Sequence, residues 1–210
     1  MVLNKYRRKI DSFLTPVAKA FSGISPNMLS VISLICAVLM FFTLVLWRDP
    51  FALVVALVLV ILNGFFDAID GAVARITGKG SPKGDLVDHV IDRYADFFMI
   101  AGVGMSAFAH AELGLIALGS VMIASYMGTQ SQALGMKRDY GGILGRAERM
   151  VLLMIFLPVQ YVSVMYYMSN PHIMVVSDFG ISVLDVLLVI LIVASTVTAL
   201  QRLLRMWRAL

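Results

Sequence analysis

Largely apolar stretches recur along this chain at roughly 27–47, 50–75, 86–111, 113–136, 147–168 and 180–204. A helix needs about 20 mostly apolar residues to cross a hydrocarbon core near 30 Å, and each stretch reaches that length. The runs are too long and too continuously apolar for the alternating strands of a membrane barrel, so six spanning helices are predicted. Ahead of the first span, Leu3, Tyr6, Ile10, Phe13, Leu14, Val17 and Phe21 recur at helical spacing, with Lys5, Arg7, Arg8, Lys9 and Lys19 between them. That pattern predicts a helix lying in the headgroup plane, bent at Pro16. No repeat, linker or low-complexity tract breaks the chain. The expected architecture is one all-α integral membrane unit over 1–210, with an interfacial amphipathic helix at 1–24 and a six-helix core at 25–210.

Composition fixes the solvent. The 210 residues are 60% hydrophobic and 14% charged, with a mean hydropathy of +0.89. A water-soluble domain carries roughly 45–50% apolar and about 25% charged residues. A soluble domain, a disordered chain and a disulfide scaffold are thereby excluded, and the lone Cys36 can close no internal bridge. The N-terminus MVLNKYRRKIDSFLTPVAKAF is charged throughout and lacks a short apolar core, so no cleavable signal peptide is expected. With six spans, both termini and the loops after the second and fourth spans share one side, and only Arg48 of the 17 lysines and arginines falls opposite it. Basic residues concentrate on cytoplasmic faces, so that side is assigned to the cytoplasm of a multi-pass plasma-membrane protein. His110 and His172 then fall on the outer side. The pI near 9.3 is a topology effect, and no nucleic-acid partner is expected.

Two spans carry acid. Asp67, Asp70, Gly71 and Ala74 stand at i, i+3, i+4 and i+7, on one helical face, and Asp88 and Asp92 share another at i, i+4. A short turn with Gly78, Gly80, Pro82 and Gly84 joins the two helices, which makes them antiparallel neighbours and lets four carboxylates converge in one cleft. If the second span starts near residue 51, Asp67 lies about 24 Å along it, inside the bilayer near the cytoplasmic edge. Each ionised residue at mid-membrane costs roughly 2.5–3.5 kcal/mol, less near the interface, so four carboxylates need neutralising. Arg75 and Arg93 do not balance them. Hard divalent cations do, and an oxygen-only ligand set favours Mg²⁺, Mn²⁺ or Ca²⁺ over zinc. Such a cluster serves either catalysis or cation transport; the almost wholly apolar run 51–66 offers a transported ion no polar path outward. His89 lies between Asp88 and Asp92 in sequence but on a different face, where interface packing is expected.

The pattern Asp67-x₂-Asp70-Gly71-x₂-Ala74-Arg75-x₈-Gly84-x₃-Asp88-x₃-Asp92 fixes eight residues over 26 positions. It resembles, at every fixed position, the signature of CDP-alcohol phosphotransferases. The resemblance implies a membrane enzyme of phospholipid biosynthesis that moves a substituted phosphate from a CDP-lipid (CDP-diacylglycerol or CDP-archaeol) to an acceptor hydroxyl, releasing CMP. It further implies metal ligation by Asp67, Asp70, Asp88 and Asp92, with Asp92 also the base that activates the acceptor. Two Mg²⁺ or Mn²⁺ ions are implied, since a two-metal clamp stabilises both the attacking and the leaving oxygen. Gly71, Ala74 and Gly84 would leave room for the nucleotide, Arg75 would face its diphosphate, and Asn27, after Pro26, resembles a family element near the nucleotide. Relatives are homodimers, so a homodimer in membrane lipid is implied.

Asp92-Arg93-Tyr94-Ala95-Asp96 resembles the segment found in phosphatidylinositol-phosphate synthases and their archaeal counterparts. Lys137, Arg138, Arg146, Glu148 and Arg149 resemble that group's basic segment, and Arg202 a basic position on its last span. The resemblance therefore implies an inositol phosphate acceptor, its phosphate held by Lys137, Arg138, Arg146, Arg149 and Arg202; arginine suits bidentate phosphate recognition. Glycerol 3-phosphate, glycerol 1-phosphate, serine or another alcohol is the alternative acceptor. One position departs: Gly128 stands where bacterial inositol-phosphate synthases carry a lysine. Gly102, Gly104, Gly114, Gly119 and Gly128 are expected at close helix contacts in lipid.

Overall fold

The computed structural model of the chain describes residues 7–78, 80–169 and 180–210. Leu3, Lys5, Tyr6, Lys79 and His172 lie outside the described residues. Among the described residues, seven helices follow in order: α1 (Arg7–Ala20), α2 (Pro26–Leu46), α3 (Phe51–Thr77), α4 (Pro82–Gly104), α5 (Ala111–Ala133), α6 (Arg146–Ser169) and α7 (Val183–Ala209). No strand occurs among the described residues. The helix starts follow from local chemistry. The Ser25 and Ser81 hydroxyls accept from the backbone N–H of Met28 and Gly84, with proline at the first helical position in both cases, and Ser182 forms a capping box with Asp185. Pro16 lies inside α1, which continues as helix to Ala20.

Five helices, α2, α3, α5, α6 and α7, are long and apolar enough to cross a membrane. The third predicted span differs in two ways. Its helix, α4, carries Lys83, Asp85, Asp88, Asp92, Arg93 and Asp96, which places it outside a purely compositional criterion. It also ends at Gly104 rather than near residue 111, because the Ser106 hydroxyl donates to the Val103 carbonyl (2.7 Å) and accepts from the Phe108 N–H (3.2 Å), turning the chain early. On α2, Met28, Val31, Ile35, Leu39 and Phe42 form an exposed apolar stripe at helical spacing. A surface of that kind is stable against lipid.

The interior joins Met40 and Leu44 of α2, Leu53 and Val60 of α3, Met99 and Val103 of α4, Leu157 of α6, and Leu187 and Leu191 of α7. A smaller cluster fixes α1: Leu14 and Ala18 pack with Leu29, Ile69 and Val73, beside the acidic end of α3. Glycines carry the tightest crossing. A Cβ on Gly104 would stand 2.5 Å from the Gly114 Cα, and one on Gly102 2.9 Å from the Phe41 Cα. Gly119, by contrast, has open space around it, so it is not a packing glycine. The α4–α5 connection is clasped to α7: the buried Asp185 carboxylate accepts from the His110 N–H (2.7 Å) and pairs with its Nδ1 (2.8 Å), while also capping Ser182.

Candidate active site

The acidic ends of α3 and α4 meet where both helices lean on α2. They pack chiefly on α2, not on one another as the short turn between them suggests, and the gap left between them is the cleft. Across it, Asp67, Asp70 and Asp88 each bring a carboxylate oxygen within 4.8 Å of the others. Asp88, His89 and Asp92 form a second such group. Ser30 of α2 reaches in, its hydroxyl donating to Asp70 Oδ2 at 2.5 Å. Asn27, Ser30, Asp70, Gly71, Ala74, Gly84 and Asp88 line one cavity on this side. Small residues line it, and a Cβ at either glycine would only make ordinary contact, 3.5 Å from Asn27 Oδ1 at Gly84 and 3.4 Å from Arg75 Nη1 at Gly71. Arg75 itself is exposed, one turn beyond Gly71.

The charge balance decides what this cleft can hold. Arg146 lies between Asp67 (3.2 Å) and Asp92, which it also contacts, and Arg93 stands 3.5 Å from Asp92. Asp67, Asp70, Asp88 and Asp92 thus bring four carboxylates together, with Arg146 and Arg93 beside them. The ligand atoms are carboxylate oxygens without a thiolate, so the residues fit a hard divalent cation.

A basic cavity opens on the other side of Asp92. It is lined by His89, Asp92 and Arg93 of α4, Arg138 of the α5–α6 loop, Arg146 and Arg149 of α6, and Arg202 of α7. Arg146 and Arg149 are aimed by the start of α6, where the Gly145 N–H donates to Glu148 Oε2 at 3.0 Å. Arg149 is buried and donates to the equally buried Asp96 at 2.5 Å. Arg202 donates from Nε to the Gly141 carbonyl at 2.8 Å and from Nη1 to the Ala124 carbonyl. Gly128 makes that reach possible, since a Cβ there would lie 3.0 Å from Arg202 Nη1. Arg138 contacts His89 Nε2, with the Tyr140 ring centroid 5.1 Å from its guanidinium carbon.

Most of the sequence-predicted residues thus fall into two adjoining cavities. Lys137 does not: it is exposed and outside the basic cavity, because Asp139, tied to the Gly128 carbonyl (3.2 Å) and Ser131 hydroxyl (3.0 Å), turns the loop so that Arg138 faces inward. His89 does not pack at an interface, as its helical face suggests, but lines the basic cavity. Ser30 escapes a reading of motifs because its partner Asp70 is 40 residues away, and only its helical offset, three residues beyond Asn27, points to it. Asp96 closes the Asp92–Asp96 segment, but its pairing with Arg149, 53 residues on, is not visible in that motif.

Residues 23–198 match the family of CDP-alcohol phosphatidyltransferases, and the chain belongs to that family. Membership sets aside the cation-transporter alternative. The archaetidylinositol phosphate synthase of Pyrococcus horikoshii is 28% identical over 156 residues, covering 73% of this chain and 81% of that one. The phosphatidylinositol phosphate synthase of Cutibacterium acnes is 27% identical over 220 residues, covering 99% of both chains. A crystal structure of the Mycobacterium tuberculosis phosphatidylinositol phosphate synthase with CDP-DAG bound matches with a TM-score of 0.70 and 27% identity, over 92% of this chain and 93% of that one. The same mycobacterial protein has been crystallised with manganese and citrate.

Proposed function

We propose that this chain transfers the lipid phosphate of a CDP-lipid, CDP-diacylglycerol or CDP-archaeol, to a hydroxyl of an inositol phosphate, releasing CMP. The observation that carries this is the division of one face of α4: Asp88 lines the cavity with Asn27 and Gly71, while Asp92, one turn on, lines the arginine-rich cavity. Donor and acceptor would meet between these two carboxylates. The names of the three relatives given above, archaetidylinositol or phosphatidylinositol phosphate synthases, support the same acceptor.

The nucleotide lies against Asn27, Gly71, Ala74 and Gly84, where side chains are small enough for close approach, with Arg75 toward the diphosphate. Asp67, Asp70, Asp88 and Asp92 would hold two Mg²⁺ or Mn²⁺ ions, whose charge would offset that of the diphosphate and of the departing CMP. Arg138, Arg146, Arg149 and Arg202 bind the acceptor's phosphate as a charge-assisted cluster. Asp92 takes the proton from the acceptor hydroxyl. The oxygen then forms the new bond to the phosphorus that carries the lipid, and the bond from that phosphorus to the bridging diphosphate oxygen breaks, its electron pair leaving with CMP.

One lipid-anchored and one water-soluble substrate must meet at a membrane boundary. We therefore take α2–α7 as six spans, α1 as lying on the headgroups, the site as facing the cytoplasmic side of the plasma membrane, and 1–210 as one unit acting in a homodimer. The test is an acceptor panel with purified protein, CDP-diacylglycerol and Mg²⁺, following CMP release. Inositol phosphate should give turnover at least about tenfold above glycerol 3-phosphate, glycerol 1-phosphate and serine. Faster turnover with any of those three overturns the acceptor assignment.

A further inference from the structure

His89 lines the basic cavity and is not among the residues that bind the acceptor's phosphate. On the α5 side Gly128 offers only backbone, and its missing side chain is the space Arg202 occupies. Arg138 and His89, from the α5–α6 loop and α4, line the same cavity, and Asp139, next to Arg138, donates to the Gly128 carbonyl at 3.2 Å. A guanidinium has donors only, so at their contact Arg138 donates to His89 Nε2, which also stands 3.5 Å from Asp85 Oδ2, leaving Nδ1 as the ring's other nitrogen. That Nδ1 is buried and has no partner among the described residues. A histidine retained for packing satisfies both ring nitrogens, since a buried donor without an acceptor is costly. Tyr140 lies along the same guanidinium, 5.1 Å from ring centroid to carbon. Arg138 is thus gripped at one edge by His89 and along its plane by Tyr140, which leaves its remaining N–H groups for the cavity.

We propose that His89 is a positioning residue for the acceptor: it fixes Arg138 so that the guanidinium meets the phosphate of a phosphorylated alcohol, and so sets the enzyme's affinity for phosphorylated over unphosphorylated acceptors. This rests on the acceptor pocket proposed above and assigns its α4 wall. His89 acts through Arg138 and takes no part in bond making.

The test compares wild type, H89A, H89Q, R138A and the H89A/R138A double variant at one fixed pH. Each is assayed with the phosphorylated acceptor that wild type uses, inositol phosphate first and glycerol 3-phosphate second. The loss of one charge-assisted phosphate contact corresponds to about tenfold in KM. H89A and R138A should each raise acceptor KM by about that factor, with kcat and the KM for CDP-diacylglycerol within twofold of wild type. The double variant should be no worse than R138A, because both changes remove one contact. H89Q, whose amide oxygen can accept from Arg138, should recover most of the affinity. Acceptor KM unchanged in H89A, multiplying effects in the double variant, or a fall in kcat alone overturns the proposal. A preference for glycerol 3-phosphate overturns only the inositol assignment, and use of unphosphorylated alcohols alone overturns both.

Discussion

Asp92 lines the arginine-rich cavity one turn beyond Asp88, which lines the other, and its surroundings bear on the base role proposed for it. Arg146 and Arg93 both approach it, so it is held by cations although its side chain is largely enclosed. Replacing it with asparagine keeps the shape and the contact to Arg146 but removes the proton acceptor. General bases contribute typically 10²–10⁴-fold. D92N should therefore lower kcat by at least about 100-fold while leaving CDP-lipid binding within a few-fold of wild type. Turnover within tenfold of wild type, measured as CMP release, would remove Asp92 from that role. Ser30 acts at the same scale: its 2.5 Å hydrogen bond fixes one oxygen of Asp70 and leaves the other toward the cleft.

Among the elements, α6 and α4 are locked by Asp96 and Arg149, buried at 2% and 5% exposure. Breaking a buried ion pair by removing one partner costs about 3–5 kcal/mol, because the other charge is stranded. D96A should accordingly lower the thermal midpoint more than R149A/D96A, in which no charge is left alone. An equal midpoint in both would show that the pair carries no such strain. The outer clasp behaves differently. His110 sits outside the spanning helices, and its hydrogen bond and charge interaction with Asp185 raise its pKa above the ordinary value near 6.5. A raised pKa in the folded state means the stabilisation is full below about pH 6.5 and fades as pH climbs through the raised value. The midpoint of the detergent-solubilised protein should fall between pH 6 and pH 9, and H110A should flatten that part of the profile. An unaltered profile in H110A would dissociate the clasp from stability.

Across the whole molecule, what is legible in the sequence is what repeats at helical spacing. Asp67, Asp70, Asp88 and Asp92 are visible because each pair lies on one helix, and the hydropathy runs mark the helices within a few residues. The early end of α4 is not visible, since it depends on one serine hydroxyl turning the chain. Neither is the role of α2 as the common support of α3 and α4, because nothing in a linear pattern says which third helix fills the angle between two others. The inward turn of Arg138 and outward turn of Lys137 likewise come from a loop tied to Gly128 and Ser131. Each of these features is a tertiary contact between distant residues, and together they convert an acidic motif and a basic motif into two facing cavities.

The claim beneath all of this is that carboxylates from two splayed helices hold divalent cations, and through them the donor's diphosphate. The direct measurement is Mn²⁺ uptake, followed by the electron paramagnetic resonance of free Mn²⁺, on purified protein with and without CDP-diacylglycerol. Wild type should take up about two ions per chain, more tightly when CDP-diacylglycerol is present; D70N and D88N should lose that uptake while remaining folded. Uptake in those variants equal to wild type, or CDP-diacylglycerol binding that ignores Mn²⁺, would contradict the account.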